Sequence, residues 1–311
     1  MSDQYYYGHG KLLLSGEYFV MDGAQALALP TTVGQSMKVK YRPSYQPTLN
    51  WKSFDHAGKL WFESDYEFWH FRPIKVQENN PTQAMLTQVL NAVRVQNPHF
   101  LRDDLDVMVE TRIEFPLEWG LGSSSTFLYN IAQWGYVSPF ELLKKTIGGS
   151  GYDIACAQAM GPIVYHKFEG KPQWETASFK PEFSDSLYFL YLGQKQNSAR
   201  EVLKYKERMI PGKEEIVNNL SLLTREMLVA KELATFEKIV RTHEEIIARA
   251  LGFEKIKDKQ FSDFWGEVKS LGAWGGDFAL VTSDRDPAAT REYFENKGLT
   301  TLIPFGEIVR T

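Results

Sequence analysis

The chain has 311 residues, of which 43% are hydrophobic and 24% are charged, a composition typical of a globular protein long enough to bury two cores. Lysine and arginine total 35 against 39 aspartate and glutamate residues, and the net charge of −4 argues against nucleic acid or an acidic membrane surface as a partner. The single cysteine, Cys156, cannot form an internal disulfide and lies in an apolar run, which favours a buried free thiol and a reducing cytoplasm. No targeting pattern and no run of about 18 apolar residues is present, so the sequence predicts no membrane span.

Strands and helices alternate through the first half of the chain. Apolar or alternating runs punctuated by glycine and proline predict a β-rich opening over the first sixty-odd residues. Residues 81–96 carry apolar side chains at helical spacing behind Pro81, which suits a first helical turn, and a strand at 104–115 follows. The segment EWGLGSSSTF, at 118–127, then leads into a predicted helix, and two short helices come next, the second one opening from GSGYD at 149–153.

A predicted strand at 161–170 and the proline-bearing segment 170–183 separate these elements from the rest. We therefore place a domain boundary near residue 180 and predict domains at 1–180 and 181–311. A buried strand at 186–193 is followed by three or four helices, among them an amphipathic one at 237–252 in which His243 is expected on the surface. A glycine turn, a strand, a helix and a last strand complete the chain. The predicted class is α+β, with sheets backed by helices.

The segment GLGSSS, residues 120–125, comes between a strand and a helix. A loop in this position exposes backbone N–H groups without intrahelical partners at the positive end of the helix dipole. Because glycine allows close approach of a bulky anion, phosphate suits such a loop, and serine hydroxyls can bind magnesium held between phosphates. The alternative is a turn in which Ser123 or Ser124 only caps the helix. A Walker loop and a G-x-G-x-x-G after a strand are both absent from the sequence, which argues against those nucleotide folds.

Three further segments, at 8–18, 148–155 and 272–278, join glycines to a charged residue. Together these segments resemble the GHMP small-molecule kinases, named for galactokinase, homoserine kinase, mevalonate kinase and phosphomevalonate kinase. The family's three motifs resemble GHGKLLLSGEYFVMDGAQALALP, PLEWGLGSSSTF and LGAWGGDFALV, in the family's order along nearly the whole chain. The resemblance implies a two-domain fold, with a ribosomal-protein-like α/β N-terminal domain, a ferredoxin-like C-terminal domain and an ATP site between them. It also implies phosphoryl transfer from ATP to a small hydroxyl, carboxyl or phosphate acceptor.

The resemblance implies that backbone N–H groups of the second motif bind the ATP phosphates. The residues concerned are Gly120, Leu121, Gly122, Ser123, Ser124 and Ser125. Ser124 matches the magnesium-binding hydroxyl of the family. Asp153 matches an aspartate that several of these kinases place beside the acceptor, and Lys11 matches the lysine of the first motif, whose charge can pair with Asp153 and with the transferring phosphoryl oxygens. The alternatives are an aspartate that only favours a helix dipole and a solvated strand lysine.

The resemblance assigns the acceptor side to residues of three glycine-rich segments: Glu17, Tyr18, Ser150, Gly151, Gly275, Gly276 and Asp277. Trp274 replaces a small residue that is common in the third motif. Glu141 is the only candidate in range for the family's second magnesium ligand. The run Ser138-Pro139-Phe140-Glu141 is also a capping box, and the residues alone slightly favour that structural role for Glu141.

Three features favour phosphomevalonate kinase within the family, namely GEY at 16–18, the aromatic residue before Asp153 and the GA-x-GGD pattern. Mevalonate kinase is the nearest alternative, followed by homoserine or sugar kinases, a diphosphomevalonate decarboxylase, and a homologue that binds a nucleotide or metabolite without turnover. We therefore predict a cytoplasmic kinase of isoprenoid biosynthesis that uses ATP and Mg²⁺ on a small-molecule acceptor, with neither nucleic acid nor membrane as a partner. Surface-like tryptophans such as Trp61 and Trp69 leave room for a homodimer.

Overall fold

A computed structural model describes residues 3–194, 198–274 and 276–311 of the chain. Over these ranges the strands are β1 (Gln4–Leu13), β2 (Ala26–Pro43), β3 (Thr48–Phe54), β4 (Leu60–Glu67), β5 (Arg72–Pro73), β6 (Leu105–Ile113), β7 (Ile163–Phe168), β8 (Lys171–Thr176), β9 (Leu187–Tyr191), β10 (Val268–Ser270), β11 (Phe278–Thr282) and β12 (Leu302–Pro304). The helices are α1 (Pro81–Gln96), α2 (Ser123–Gly135), α3 (Pro139–Lys145), α4 (Tyr152–Gln158), α5 (Ser198–Lys206), α6 (Lys213–Val229), α7 (Leu233–Leu251), α8 (Ile256–Gln260), α9 (Pro287–Glu295) and α10 (Phe305–Ile308).

The chain forms two compact units that interleave along the sequence. The first unit contains residues 1–10, 33–117 and 122–158, and the second contains 11–32, 118–121 and 159–311. These units differ from the predicted consecutive domains 1–180 and 181–311, and that pair of domains stays a prediction.

In the first unit the strands lie in the order β5-β4-β3-β6-β2. Strand β6 runs antiparallel to β2 and parallel to β3, and α1, α2 and α3 pack against one another. Helix α1 begins as the sequence predicts, because Pro81 occupies its first turn and the Asn80 side chain accepts hydrogen bonds from the N–H groups of Thr82 and Gln83. Large apolar side chains fill the core, including Trp51, Leu90, Val109, Ile131 and Trp134.

In the second unit the first residues of β2 pair with β7, and β7 pairs with β8. A separate antiparallel sheet has the order β10-β11-β9-β12, helices α6 and α7 pack together, and α7 contacts β10. Within the segment 170–183, expected to separate the halves of the chain, residues 171–176 form the strand β8. Strand β8 lies at a sheet edge with most of its residues exposed, and it therefore lacks the apolar alternation of a half-buried strand.

The predicted α+β class, with two sheets and helices packed on them, is confirmed. Cys156 is a buried free thiol, as predicted. Within the part of the chain that the structure describes, none of the helices is both long enough and apolar enough to span a bilayer.

Candidate functional site

The start of α2 belongs to the first unit and follows Gly122, whose φ of 93° lies in the left-handed region that favours glycine. Among the described residues no side chain caps this helix, so the alternative in which Ser123 or Ser124 is a cap is wrong. The N–H and the hydroxyl of Ser125 both donate to the Gly122 carbonyl, at 3.1 and 2.8 Å. The helix itself supplies no acceptor for the N–H groups of Ser123 and Ser124, and the Ser124 side chain is exposed.

Two side-chain hydrogen bonds fix α2 to the neighbouring strand β2. The Thr126 hydroxyl donates to the Gln35 side-chain carbonyl at 2.7 Å, and the Asn130 amide donates to the Gln35 backbone carbonyl at 2.8 Å. All three residues are buried, where hydrogen bonds are costly to break. The sheet therefore holds the first turns of α2 in a defined position.

Asp153 lies in the first turn of α4, which packs directly against α2. Its side chain is half-buried, and Ser150, in the glycine-rich loop before the helix, is buried. Gly151 has a φ of 94° and accepts, through its carbonyl, a hydrogen bond from the Ala155 N–H at 3.1 Å. The predicted acceptor loop and the predicted phosphate loop thus precede two helices that are in contact within the first unit.

Glu141 is in the first turn of α3. The Ser138 hydroxyl accepts a hydrogen bond from the Glu141 N–H at 3.3 Å and Pro139 begins the helix, so the predicted helix cap by Ser138 is confirmed. The Glu141 carboxylate is exposed. Its role as a magnesium ligand stays a prediction.

Four residues of the second motif, Glu118, Trp119, Gly120 and Leu121, belong to the second unit. The Leu121 carbonyl accepts a hydrogen bond from the Lys11 N–H at 2.9 Å, which joins the first motif to the second through the backbone. Gly120 has a φ of 66°, and a Cβ added to it would lie 2.7 Å from Oδ1 of Asp277 and closer still to the rest of that carboxylate. The second and third motifs are therefore in contact, and only glycine fits at residue 120.

Asp277 is buried and has a φ of 49°. Its N–H donates to the Gln194 carbonyl at 2.6 Å, and its own carbonyl accepts from the Leu192 N–H at 2.8 Å. These two hydrogen bonds hold the third motif at the end of β9. Gly276 is also buried, and the predicted site residue Gly275 lies outside the described residues.

The hydroxyl of Tyr18 accepts a hydrogen bond from the Trp274 N–H at 3.1 Å, which joins the first motif to the third. The Tyr18 ring lies 5.5 Å from the Tyr205 ring and 5.9 Å from the Phe253 ring, and Trp274 packs on Phe253 at 5.7 Å. Trp274, in place of the usual small residue, is accommodated by this aromatic cluster. Burial raises the pKa of Tyr18 to about 12, so its phenol stays protonated at neutral pH.

Glu17 is completely buried, and its carboxylate forms an ion pair with Lys269. This burial favours a structural role for Glu17 inside the protein over direct contact with an acceptor.

His243 is also completely buried, and its Nε2 accepts a hydrogen bond from the Gly16 N–H at 3.0 Å. The predicted surface position of His243 is therefore wrong. Helical spacing could have corrected this, because His243 lies three and four residues from the buried Val240 and Ile239.

Sequence reasoning also missed Glu244 and Lys269, which are buried beside Glu17 and His243. Burial raises the pKa of Glu17 above its usual range and that of Glu244 to about 7. Burial and the nearby Lys269 charge hold the pKa of His243 well below its usual value, so this imidazole is neutral at physiological pH.

The structure thus brings together Lys11 with Leu121, Gly120 with Asp277, and Tyr18 with the backbone of the third motif. The predicted pairing of Lys11 with Asp153 stays a prediction.

No protein-family model and no curated protein sequence matches the chain. Solved structures do match it. Mevalonate kinase from Methanococcus jannaschii aligns with a TM-score of 0.69 at 17% identity, over 97% of both chains. Streptococcus pneumoniae phosphomevalonate kinase in complex with phosphomevalonate and AMPPNP aligns with a TM-score of 0.67 at 16% identity, over 97% of this chain and 99% of that one. Lactococcus lactis galactokinase complexed with galactose aligns with a TM-score of 0.64 at 12% identity, over 100% of this chain and 95% of that one.

These proteins share one architecture, and the chain has the fold of the GHMP kinases. The predicted fold is therefore confirmed. At 12 to 17% identity the similarity establishes the fold and leaves the substrate open.

Proposed function

We propose that the protein is an ATP- and Mg²⁺-dependent kinase of the GHMP type, with phosphomevalonate as its acceptor. The observation that carries the proposal is the start of α2, where a left-handed glycine replaces a side-chain cap and leaves the first two helical N–H groups without helical acceptors. An uncapped helix start of this kind suits phosphate, because both the N–H groups and the helix dipole favour an anion.

In this proposal the N–H groups of Ser123 and Ser124 bind the ATP phosphates. Gly120, Leu121 and Gly122 complete the loop, and Ser125 keeps its shape by donating twice to the Gly122 carbonyl. The GHMP fold supports this reading, because one of the matched kinases is described in complex with the ATP analogue AMPPNP.

The residues present also suit magnesium. Mg²⁺ prefers oxygen ligands, and the exposed Ser124 hydroxyl and Glu141 carboxylate are the side chains proposed to hold it. When bound, the metal would neutralise charge on the phosphates during transfer.

The proposed reaction forms a bond from an acceptor oxygen to the γ-phosphorus while the bond from that phosphorus to the ADP oxygen breaks. Asp153 orients the acceptor oxygen, and it takes the proton when the acceptor is a hydroxyl. Lys11 contributes a fixed positive charge that offsets the negative charge of the transferring group. Positioning of this kind is the main demand that phosphoryl transfer makes on a protein.

The acceptor is proposed to bind against Ser150, Gly151, Tyr18, Asp277 and the glycines 275 and 276. The combination of GEY with GA-x-GGD supports phosphomevalonate, and the hydrogen bond from Trp274 to Tyr18 joins these two segments. Mevalonate is the second candidate, because a mevalonate kinase structure aligns with this chain as closely as the phosphomevalonate kinase does.

The experiment is a measurement of ADP release from ATP and Mg²⁺ by the purified chain, with phosphomevalonate, mevalonate, homoserine and galactose offered separately. We expect release with phosphomevalonate above the other three. Asp153→Asn protein, purified in parallel, is the control that separates the activity of this chain from that of a contaminating kinase. Release with none of the four acceptors, or equal release by the control, would contradict the proposal.

A further inference from the structure

Four ionisable side chains are enclosed in the second unit, and we call them the charge cluster: Glu17, His243, Glu244 and Lys269, which are 0%, 0%, 3% and 0% exposed. The Lys269 ammonium contacts Oε1 of Glu17 and donates to the Ser270 carbonyl at 2.9 Å. The Nε2 atom of His243 lies 3.6 Å from Oε2 of Glu17. Because removing charges from water costs more than an ion pair usually returns, such a cluster is poorly explained by stability alone.

The charge cluster holds the backbone of the first motif and of Ser270, the residue directly before the third motif. The Gly16 N–H donates to Nε2 of His243 at 3.0 Å, and the Ser270 N–H donates to Oε1 of Glu244 at 2.6 Å. Within the third motif, the Trp274 N–H donates to the Tyr18 hydroxyl at 3.1 Å. All three N–H groups use side chains as acceptors, so these side chains determine where the two motifs lie.

Tyr18 itself has an unusual backbone conformation. Its φ of 61° and ψ of −54° lie outside the regions that a tyrosine normally adopts. A conformation of this kind persists only where the surrounding structure imposes it, and such residues are concentrated at functional sites. Glu17, the preceding residue, is the one that the ion pair with Lys269 immobilises.

We infer that Lys269 is a positioning residue. Its ion pair with Glu17 fixes Tyr18, and Tyr18 in turn fixes the Trp274 segment. Lys269 therefore governs acceptor binding and leaves ATP binding unaffected. The inference rests on the acceptor role proposed for Tyr18 and the third motif. Lys269 contacts neither the acceptor nor ATP in this scheme and acts only through Glu17.

The test uses the double variant Glu17→Gln with Lys269→Met, which replaces the ion pair by uncharged groups of similar size. Each single change would leave one buried charge unpaired and would mainly test folding. The matched control is Arg241→Gln with Glu267→Gln. This pair, 2.5 Å apart, joins α7 to the residue directly before β10, and the Arg241 side chain is 52% exposed. Among the described residues, neither side chain hydrogen-bonds to the first motif.

The first readout is kinetic. We expect the double variant to raise the acceptor KM by about tenfold or more while kcat and the KM for ATP change by less than about twofold, and the control to change none of the three. A loss of stability without a rise in the acceptor KM would show that the charge cluster is only structural, and that result would overturn the inference.

The second readout needs no activity. Hydrogen exchange should become at least about tenfold faster at the Gly16 and Trp274 amides of the double variant and stay unchanged in the control. If the wild-type protein phosphorylates no acceptor, the proposed function fails, and the exchange rates still decide the positioning role. If the double variant does not fold, Glu17→Asp retains both charges and displaces the carboxylate. If the exchange rates and the acceptor KM of Glu17→Asp equal those of the wild-type protein, the inference is likewise contradicted.

Discussion

Gly120→Ala is expected to destabilise the protein through two separate effects that the structure allows us to estimate. An alanine at a φ of 66° costs about 1–2 kcal/mol, because its Cβ crowds the following carbonyl in the left-handed region. The same Cβ would overlap the Asp277 carboxylate, and overpacking of this kind costs about 1–3 kcal/mol more. We therefore expect a loss of about 2–5 kcal/mol in the free energy of unfolding.

Gly148→Ala is the matched control for the conformational effect. Gly148 has a φ of 73°, and an added Cβ there meets no atom within 4 Å, so this variant should lose only the first part, about 1–2 kcal/mol. Urea unfolding of both variants measures the difference. In an Asp277→Gly background, Gly120→Ala should cost no more than Gly148→Ala does. If Gly120→Ala costs no more than Gly148→Ala in the wild-type background, the contact between the second and third motifs is refuted.

Four further variants test the proposed site and the charge cluster. Ser124→Ala should lower kcat/KM for MgATP by about tenfold or more, because a proposed metal ligand is lost. Ser125→Ala should instead cost about 1 kcal/mol of stability and keep the magnesium dependence. Magnesium titrations and urea unfolding distinguish the two variants. Asp153→Asn should reduce kcat by about a hundredfold and leave the Kd for an ATP analogue unchanged in calorimetry, and a normal kcat would remove Asp153 from the mechanism. The pKa of Glu244, raised by burial to about 7, means that the folded state holds a proton that the unfolded state has released. Wild-type protein should therefore lose up to about 3 kcal/mol of stability relative to Glu244→Gln as pH rises from about 5 to about 8, and a difference independent of pH would contradict this.

Local sequence signals predicted most individual elements because the physical cause of each is local. Helix α1 occupies residues 81–96 as predicted, since Pro81 and the apolar spacing determine its start and its buried face. The helix cap at Ser138 follows from the four consecutive residues 138–141 for the same reason.

Contacts between distant segments could not be predicted in this way. The sequence shows that residue 120 is a glycine. It does not show that the Asp277 carboxylate, from a distant part of the chain, leaves no room there for a Cβ atom. Lys269 and Glu17 likewise carry charges that composition assigns to the surface, and only the folded second unit shows that they are paired and buried. Trp61 and Trp69 are 41% and 39% exposed, and the homodimer and cytoplasmic location both stay predictions.

The most direct test of the proposed kinase is a crystal structure of the protein with AMPPNP and Mg²⁺. We expect phosphate oxygens within hydrogen-bonding distance of the N–H groups of Ser123 and Ser124, and the metal ion bound to the Ser124 hydroxyl. A nucleotide bound elsewhere, or no bound nucleotide at millimolar AMPPNP, would contradict the assignment of the α2 start as the phosphate site.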